Sequence, residues 1–299
     1  MSTTVLGAGY AGIMAANRLA GQGEDVVLIT PHPWFVERIR LHTVASGART
    51  DARRPLSTLL NPAVEIRFDT AVRIDGDAVV LASGTSHRFE TLIYAVGSGA
   101  ASTSGTHRIA SEAETLRFRD ELRAHPHAPV TVIGAGLTGI ELSAALSRAG
   151  REVRLVTASA PQRHASQALL DELRQLGVQV EIGRTVDPRA AGDTDDGGIV
   201  VDTTGLIVPT LAADSGLPTD EQGRLLVDAT LTVTGHPNIV GAGDAVAVDA
   251  PTGAHLRAAC ATALPMGAHA ADVVLARLRG AQPQPFGMGY VLQCVDPVM

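Results

Sequence analysis

A chain of 299 residues with 45% apolar side chains is long enough to bury two cores of ordinary size. Its formal charge of −7 argues against a polyanion-binding surface, so nucleic acid is not an expected partner. All 24 basic residues are arginine, which excludes Schiff-base lysine chemistry, and the two cysteines, Cys260 and Cys294, form no CxxC pair, so neither a redox dithiol nor a disulfide framework is indicated.

That cysteine usage points to a reduced, cytoplasmic setting. The first residues lack the basic head and unbroken apolar run of an export signal, and no stretch approaches a membrane span. The histidines are scattered, with no cysteine or paired carboxylate beside His125 and His127, so no metal site is expected.

In chain order, Thr3 to Leu6 reads as a short buried strand, followed by Gly7-Ala8-Gly9-Tyr10-Ala11-Gly12. Gly12 to Leu19 carries helical spacing, Gly21 and Gly23 end that helix, and Asp25 to Thr30 is a second buried strand. The same succession returns further on. Val130 to Ile133 is a strand, Gly134-Ala135-Gly136-Leu137-Thr138-Gly139 a turn, Gly139 to Ala149 a helix closed by Gly150, and Val153 to Val156 a strand. Gly7 lies on Gly134 at an offset of 127 residues, and the match continues through Ile13 with Ile140, Leu19 with Leu146, Asp25 with Glu152 and Thr30 with Thr157.

One GxGxxG is a weak signal, because glycine turns are common. Two of them, each between a strand and a helix at matched spacing, are a strong one. The first glycine permits the tight turn, the second lets the backbone approach a pyrophosphate, and the third lets helix and strand pack closely. Bare amides at the helix N-terminus then face the phosphates. The alternative is an α/β fold whose turns hold nothing. Neither copy has the Asp or Glu that usually ends the second strand and binds the adenosine ribose: Thr30 and Thr157 stand there. The missing carboxylate leaves NADH against NADPH open, with Arg163 downstream as either a 2′-phosphate partner or a solvated loop arginine.

Two further segments complete the pattern. Thr91-Leu92-Ile93-Tyr94-Ala95-Val96-Gly97-Ser98 and Asn238-Ile239-Val240-Gly241-Ala242-Gly243-Asp244-Ala245 are each an apolar strand running into glycine. With both GxGxxG copies, and in this order, they resemble the two-dinucleotide-domain flavoprotein reductases, in particular type II NADH dehydrogenases and apoptosis-inducing-factor-like oxidoreductases. The resemblance covers almost the whole chain. It implies an α/β fold of two Rossmann-like, three-layer dinucleotide-binding domains, the second inserted in the first. Residues 1–105 and 230–299 would bind FAD, and residues 106–229 NADH or NADPH. His125-Pro126-His127-Ala128-Pro129 resembles an inter-domain connection, and Asp193 to Gly198 reads as a hairpin turn.

By the same resemblance, Gly7, Gly9, Tyr10, Ala11 and Gly12 surround the FAD pyrophosphate, with Thr30 at the ribose. Val96, Gly97 and Gly243 line the site, and Asp244 binds the ribityl chain unless it serves as a helix N-cap. Leu264 and Pro265 belong to a helix, Ala259 to Val274, whose N-terminus faces the flavin. For the nicotinamide nucleotide, the resemblance selects Gly134, Gly136, Leu137, Thr138, Gly139 and Thr157, with Thr204 and Gly205 as the turn under the riboside. Glu141 is either a carboxylate near the nicotinamide or a helix glutamate favoured by the macrodipole.

Glu37, Arg38, Arg40 and His42 form a charged cluster that either approaches the flavin or is a surface ion-pair helix. Some relatives place a lysine–glutamate pair near the flavin. In a lysine-free chain the cation there would be Arg38 or Arg40, so the catalytic candidates are Glu141 and Arg40. Cys260 is a buried hydrophobe or a flavin neighbour.

The implied activity is hydride transfer from NAD(P)H to flavin, with electrons passed on to a quinone or another small molecule. The alternative is an FAD-dependent tailoring enzyme acting on a small organic substrate without nicotinamide turnover. Type II dehydrogenases continue into a C-terminal interface domain with an amphipathic anchor, whereas this sequence stops at Met299. Membrane attachment is therefore not expected, a soluble acceptor gains weight, and a homodimer is allowed.

Overall fold

The computed structural model describes residues 2–99, 106–159, 167–186, 198–249, 253 and 256–289. Arg163, most of the expected hairpin at Asp193 to Gly198, and Cys294 lie outside them.

The chain opens with β1 (Ser2–Leu6), α1 (Tyr10–Ala20), β2 (Asp25–Thr30) and β3 (Trp34–Val36), then a 3₁₀ turn at Arg38–Arg40 and α2 (Leu41–Ala45). Six strands follow: β4 (Arg53–Pro55), β5 (Glu65–Phe68), β6 (Ala71–Asp75), β7 (Ala78–Leu81), β8 (Ser86–Arg88) and β9 (Thr91–Tyr94). Next come α3 (Glu112–Ala124), β10 (Val130–Ile133), α4 (Leu137–Arg148), β11 (Val153–Thr157), α5 (Gln167–Gln175), β12 (Gln179–Ile182) and β13 (Ile199–Asp202). The last described stretch holds α6 (Leu211–Asp214), β14 (Leu225–Val227), β15 (Thr232–Val233), β16 (His236–Gly241), β17 (Val246–Val248) and α7 (Cys260–Leu278).

Contacts divide the described residues into two units, one within 1–35, 53–98 and 207–292, the other within 36–52 and 99–206. Both have the Rossmann-like α/β architecture expected from the sequence.

In the first unit an eight-stranded sheet runs β17-β14-β15-β16-β9-β1-β2-β5. Its centre is parallel, with Val5 opposite both Leu28 and Ile93, and these strands are buried almost throughout, as parallel strands covered on both faces must be. Helix α1 is alanine-rich and turns Ala11, Ala15, Ala16 and Leu19 inward, the i, i+4 spacing of one helix face. It ends where Gly23 takes φ +86°, donating its N–H to the Ala20 carbonyl. Helix α7 packs against α1 with unusual closeness: a Cβ on Gly267 would lie 2.2 Å from the Ala11 carbonyl oxygen. The antiparallel sheet β6-β7-β8 joins the same core through Ile74, Val79 and Leu81, and the His87 ring reaches the Thr4 hydroxyl in β1 at 3.0 Å.

In the second unit the sheet is β12-β11-β10-β13, wholly parallel, with Val130 opposite Val153 and Ile199. Its core gathers Val130, Val132, Leu155 and Val201 with Ile140, Leu142 and Leu146 of α4 and Phe118 and Leu122 of α3. Helix α3 is capped by Ser111: the Glu114 N–H donates to the Ser111 hydroxyl, which in turn donates to the Glu114 carboxylate.

Three expectations change. His125 to Pro129 joins α3 to β10 inside the second unit, because Phe118 and Leu122 share a core with Val130. Residues 207–229 belong with the first unit, since β14 pairs with β17 and β15 there, and the Ser215 hydroxyl accepts from the Ile74 N–H. Residues 36–52, part of the span 1–105 expected to bind FAD, group with the second unit; there Glu37 to His42, expected to approach the flavin or to form a surface ion-pair helix, lead through a 3₁₀ turn into a five-residue helix.

Candidate functional site

The parallel strands of each sheet end together, and open α/β sheets bind ligands outside their carboxyl ends. In the first unit β1, β2, β9 and β16 end at Leu6, Thr30, Tyr94 and Gly241. The residues just beyond are Gly7 to Gly12, Val96 with Gly97, and Gly243 with Asp244. In the second unit β10, β11 and β13 end at Ile133, Thr157 and Asp202, so Gly134 to Gly139 and Thr203 to Gly205 stand just beyond.

The two glycine loops behave alike. Gly7 and Gly134 have φ of +97° and +100°, a region closed to most L side chains, and hydrogen-bond back to Ile29 and Val156 across the sheet. A Cβ on Gly12 or Gly139 would lie 1.9 Å from the carbonyl oxygen of Gly7 or Gly134, so these third glycines are required by helix–strand packing alone. The middle glycines differ in kind: a Cβ on Gly9 or Gly136 would meet nothing within 4 Å. The fold leaves that space clear without needing it for its own packing.

Gly9 and Gly136 are also the N-caps of α1 and α4, and neither helix has a side-chain cap or an acid in its first turn. Tyr10, Ala11 and Gly12, like Leu137, Thr138 and Gly139, therefore contribute first-turn amides that no side chain of the helix satisfies. Such an end favours an anion, in contrast to the self-capped α3 with Glu112 and Glu114 in its first turn. Two such cradles, one per unit, have the amide donors and the open middle glycine that a diphosphate of FAD or of a nicotinamide nucleotide would need.

Beside the first cradle, Gly97 has φ +67° and Gly243 φ +88°, and a Cβ on Gly243 would lie 3.4 Å from the Ala11 Cβ. The Asp244 carboxylate accepts a 2.7 Å hydrogen bond from the Ser98 hydroxyl. It caps no helix, since α7 begins at Cys260 with Ala259 as its N-cap. Asp244 also lines a cavity with Gly243, Arg257, Thr262 and Met266. Leu264, more than a third exposed, and Pro265 lie within α7, and Cys260 is half-buried at its start. Thr30 is buried at the end of β2, its carbonyl accepting from the Asp69 N–H. Tyr94, fully buried at the end of β9, has its phenol pushed well up by burial.

In the second unit Thr203 bridges strand end and loop, its hydroxyl 2.8 Å from the Ile133 carbonyl and 3.0 Å from that of Gly134. Gly205 has φ +65°, the counterpart of Gly97. Thr157 ends β11, its hydroxyl donating to the Ser159 carbonyl. Glu141 lies in α4 with its carboxylate 3.6 Å from Nδ1 of His42, and both side chains are largely buried. His42 is thus a basic group beside Glu141. Arg40 sits in the 3₁₀ turn, where its backbone N–H donates to the Glu37 carbonyl and its own carbonyl accepts from Thr43. Arg108 and Asp202, which sequence reasoning passed over, form a buried ion pair under the Thr203–Gly205 turn. The available signal was an aspartate ending the apolar run Ile199-Val200-Val201.

Two Rossmann-like units, each with a glycine cradle at the carboxyl ends of its parallel strands, define a dinucleotide-dependent oxidoreductase. Residues 1–272 match the pyridine nucleotide-disulphide oxidoreductase family, and the chain belongs to it. Membership supports FAD and NAD(P)H as its cofactors. It is similar to the NADH dehydrogenase-like protein Rv1812c of Mycobacterium tuberculosis, 28% identical over 89% of this chain and 78% of the relative. It is likewise 28% identical to rhodocoxin reductase of Rhodococcus erythropolis, over 84% of this chain and 66% of that one. Among solved structures, NADH:rubredoxin oxidoreductase from Clostridium acetobutylicum superposes with a TM-score of 0.72 at 20% identity, over 96% of this chain and 78% of the other, a likeness of fold. No helix among the described residues is long and apolar enough to cross a membrane.

Proposed function

We propose that the first unit holds FAD, that the second holds NADH or NADPH, and that the protein oxidises the nicotinamide nucleotide and passes the electrons to a small-molecule acceptor such as a quinone. The observation that carries this reading is the pair of cradles in which the first and third glycines are demanded by packing while the middle one borders open space. When bound, FAD would supply two-electron chemistry that no side chain of this lysine-free, CxxC-free sequence offers.

The protein's own contribution is binding and orientation. Tyr10, Ala11 and Gly12 present amides to one diphosphate, and Leu137, Thr138 and Gly139 to the other. Asp244, oriented by Ser98, offers a carboxylate oxygen to a polyol hydroxyl. The start of α7, with no acid in its first turn, favours negative charge in the first unit's ligand. Glu141 and His42, 3.6 Å apart and largely buried, place an ionisable carboxylate–imidazole pair in the second unit.

Rapid mixing of the flavin-loaded protein with NADH and with NADPH tests the reading. Bleaching of the flavin by either nucleotide is expected. A flavin that stays oxidised with both, yet is bleached by dithionite, would contradict it.

A further inference from the structure

We propose that the buried Arg108–Asp202 pair is a positioning device for the nicotinamide nucleotide, setting the backbone of the Thr203–Gly205 turn against the second glycine loop. The inference rests on the reading that the second unit binds that nucleotide.

Asp202 ends β13 with its side chain only 4% exposed. One carboxylate oxygen accepts from the Thr204 N–H at 2.8 Å and from the Thr204 hydroxyl at 2.6 Å. The other lies 3.4 Å from Nη1 of Arg108. The second terminal nitrogen of Arg108 donates to the Thr204 carbonyl and, at 3.0 Å, to the Gly205 carbonyl. The Thr203 N–H donates to the Ile133 carbonyl. Ion pair and strand end thus account for the Thr203 and Thr204 N–H groups and the Thr204 and Gly205 carbonyls. Those carbonyls, whose dipoles would repel a diphosphate, are taken up by a guanidinium instead.

Arg108 is itself fixed. His107 forms a one-residue parallel bridge with Val201, donating its N–H to the Val200 carbonyl and accepting from the Asp202 N–H, both at 2.8 Å. On its other side the turn touches the cradle: a Cβ on Gly134 would lie 2.8 Å from the Thr204 methyl, and one on Gly139 2.7 Å from the Thr203 hydroxyl. The turn has no room to move inward, and the ion pair keeps it from moving outward. Arginine is required because only its planar fork spans two carbonyls and a carboxylate.

The test uses flavin-loaded protein carrying D202N, R108M or R108K. Because a lone buried charge destabilises a fold, R108M/D202L provides a core with neither charge. Flavin content, dithionite reduction and thermal midpoint are read beside flavin bleaching by NADH and NADPH. The half-saturating nucleotide concentration is expected to rise about 10- to 100-fold in D202N, R108M and the double variant, the scale of a positioning loss. The limiting rate should change by less than about threefold, R108K should recover part of the loss, and flavin content should stay at the wild-type level. A half-saturating concentration unchanged in the double variant would overturn the inference while leaving the proposed function intact. Wild-type protein that neither binds nor is reduced by either nucleotide would overturn both.

Discussion

The glycine turns after β1 and β10 share a backbone plan and differ in what braces them. The residue after each neighbouring strand, Ala95 or Thr203, donates its N–H to the carbonyl before the first glycine, Leu6 or Ile133. Two positions further on, Gly97 and Gly205 have φ within a few degrees of each other. In the first unit β9 lies inside the sheet, flanked by β16, and the strand end is Tyr94, buried in apolar surroundings. In the second unit β13 is, among the described residues, the last strand of its sheet, with the His107 bridge beyond it, and the strand end is Asp202 locked to Arg108. A strand with neighbours on both sides can fix its loop by packing, whereas one at the margin needs directional polar contacts to do so. The middle glycine is indifferent to either brace, as its proposed place beside a diphosphate requires.

The sharpest way to break the equivalence of the turns is to fill their third glycines. Gly12→Ala and Gly139→Ala should each cost on the order of 3 kcal/mol, because the new methyl has to displace a backbone carbonyl. Thermal or denaturant unfolding reads the loss, and Gly12→Ala should also release flavin. A cost near zero for one of them would show that the two loops are not packed alike.

A smaller effect sharpens the contrast between capped and bare helices. Ser111→Ala removes the cap of α3 and should cost about 1 kcal/mol, with flavin content and nucleotide half-saturation unchanged. A nucleotide effect from this substitution would mean that the cap of α3, and not just the bare ends of α1 and α4, bears on binding.

The smallest effect concerns the brace at the margin of the second sheet. Burial holds the His107 imidazole below the usual histidine range, so the unfolded chain takes up a proton there before the folded one does. Its contribution to stability is therefore complete above about pH 6.5 and lost as pH falls below it. His87 and His269 are shifted the same way by burial and add to the slope. The thermal midpoint should drop between about pH 7.5 and about pH 5.5, and His107→Asn should flatten part of that drop. A midpoint that rises on acidification would contradict the sign.

Both cradles were legible in the sequence because their causes are local. A positive φ at Gly7 and Gly134 and a missing Cβ at Gly12 and Gly139 are demands made within six residues of chain. The expected strands Asp25 to Thr30 and Val130 to Ile133 match the observed ones residue for residue, since a run of apolar residues between glycines has few other ways to be buried. Pairings between distant residues were not legible. Nothing local to His42 announces Glu141, and nothing local to Arg108 announces Asp202, because only the strand register and the docking of α2 on α4 bring them together. The domain boundary misled for the same reason: the charges at Glu37, Arg38, Arg40 and His42 suit a helix, but the place of residues 36–52 in the second unit is set by tertiary contacts such as Ala45 in its core.

The proposed function requires two separate diphosphates to rest on two separate middle glycines, Gly9 and Gly136. Its most direct measurement sets Gly9→Ala beside Gly136→Ala, reading flavin content, NAD(P)H half-saturation and unfolding midpoint in both. A methyl at either position meets no protein atom within 4 Å, so with flavin and nucleotide both removed each variant should unfold within about 0.5 kcal/mol of the equally stripped parent. Gly9→Ala should lose flavin, while Gly136→Ala should keep it and bind NADH and NADPH at least about tenfold more weakly. Full flavin occupancy in Gly9→Ala, or flavin loss in Gly136→Ala, would contradict the claim.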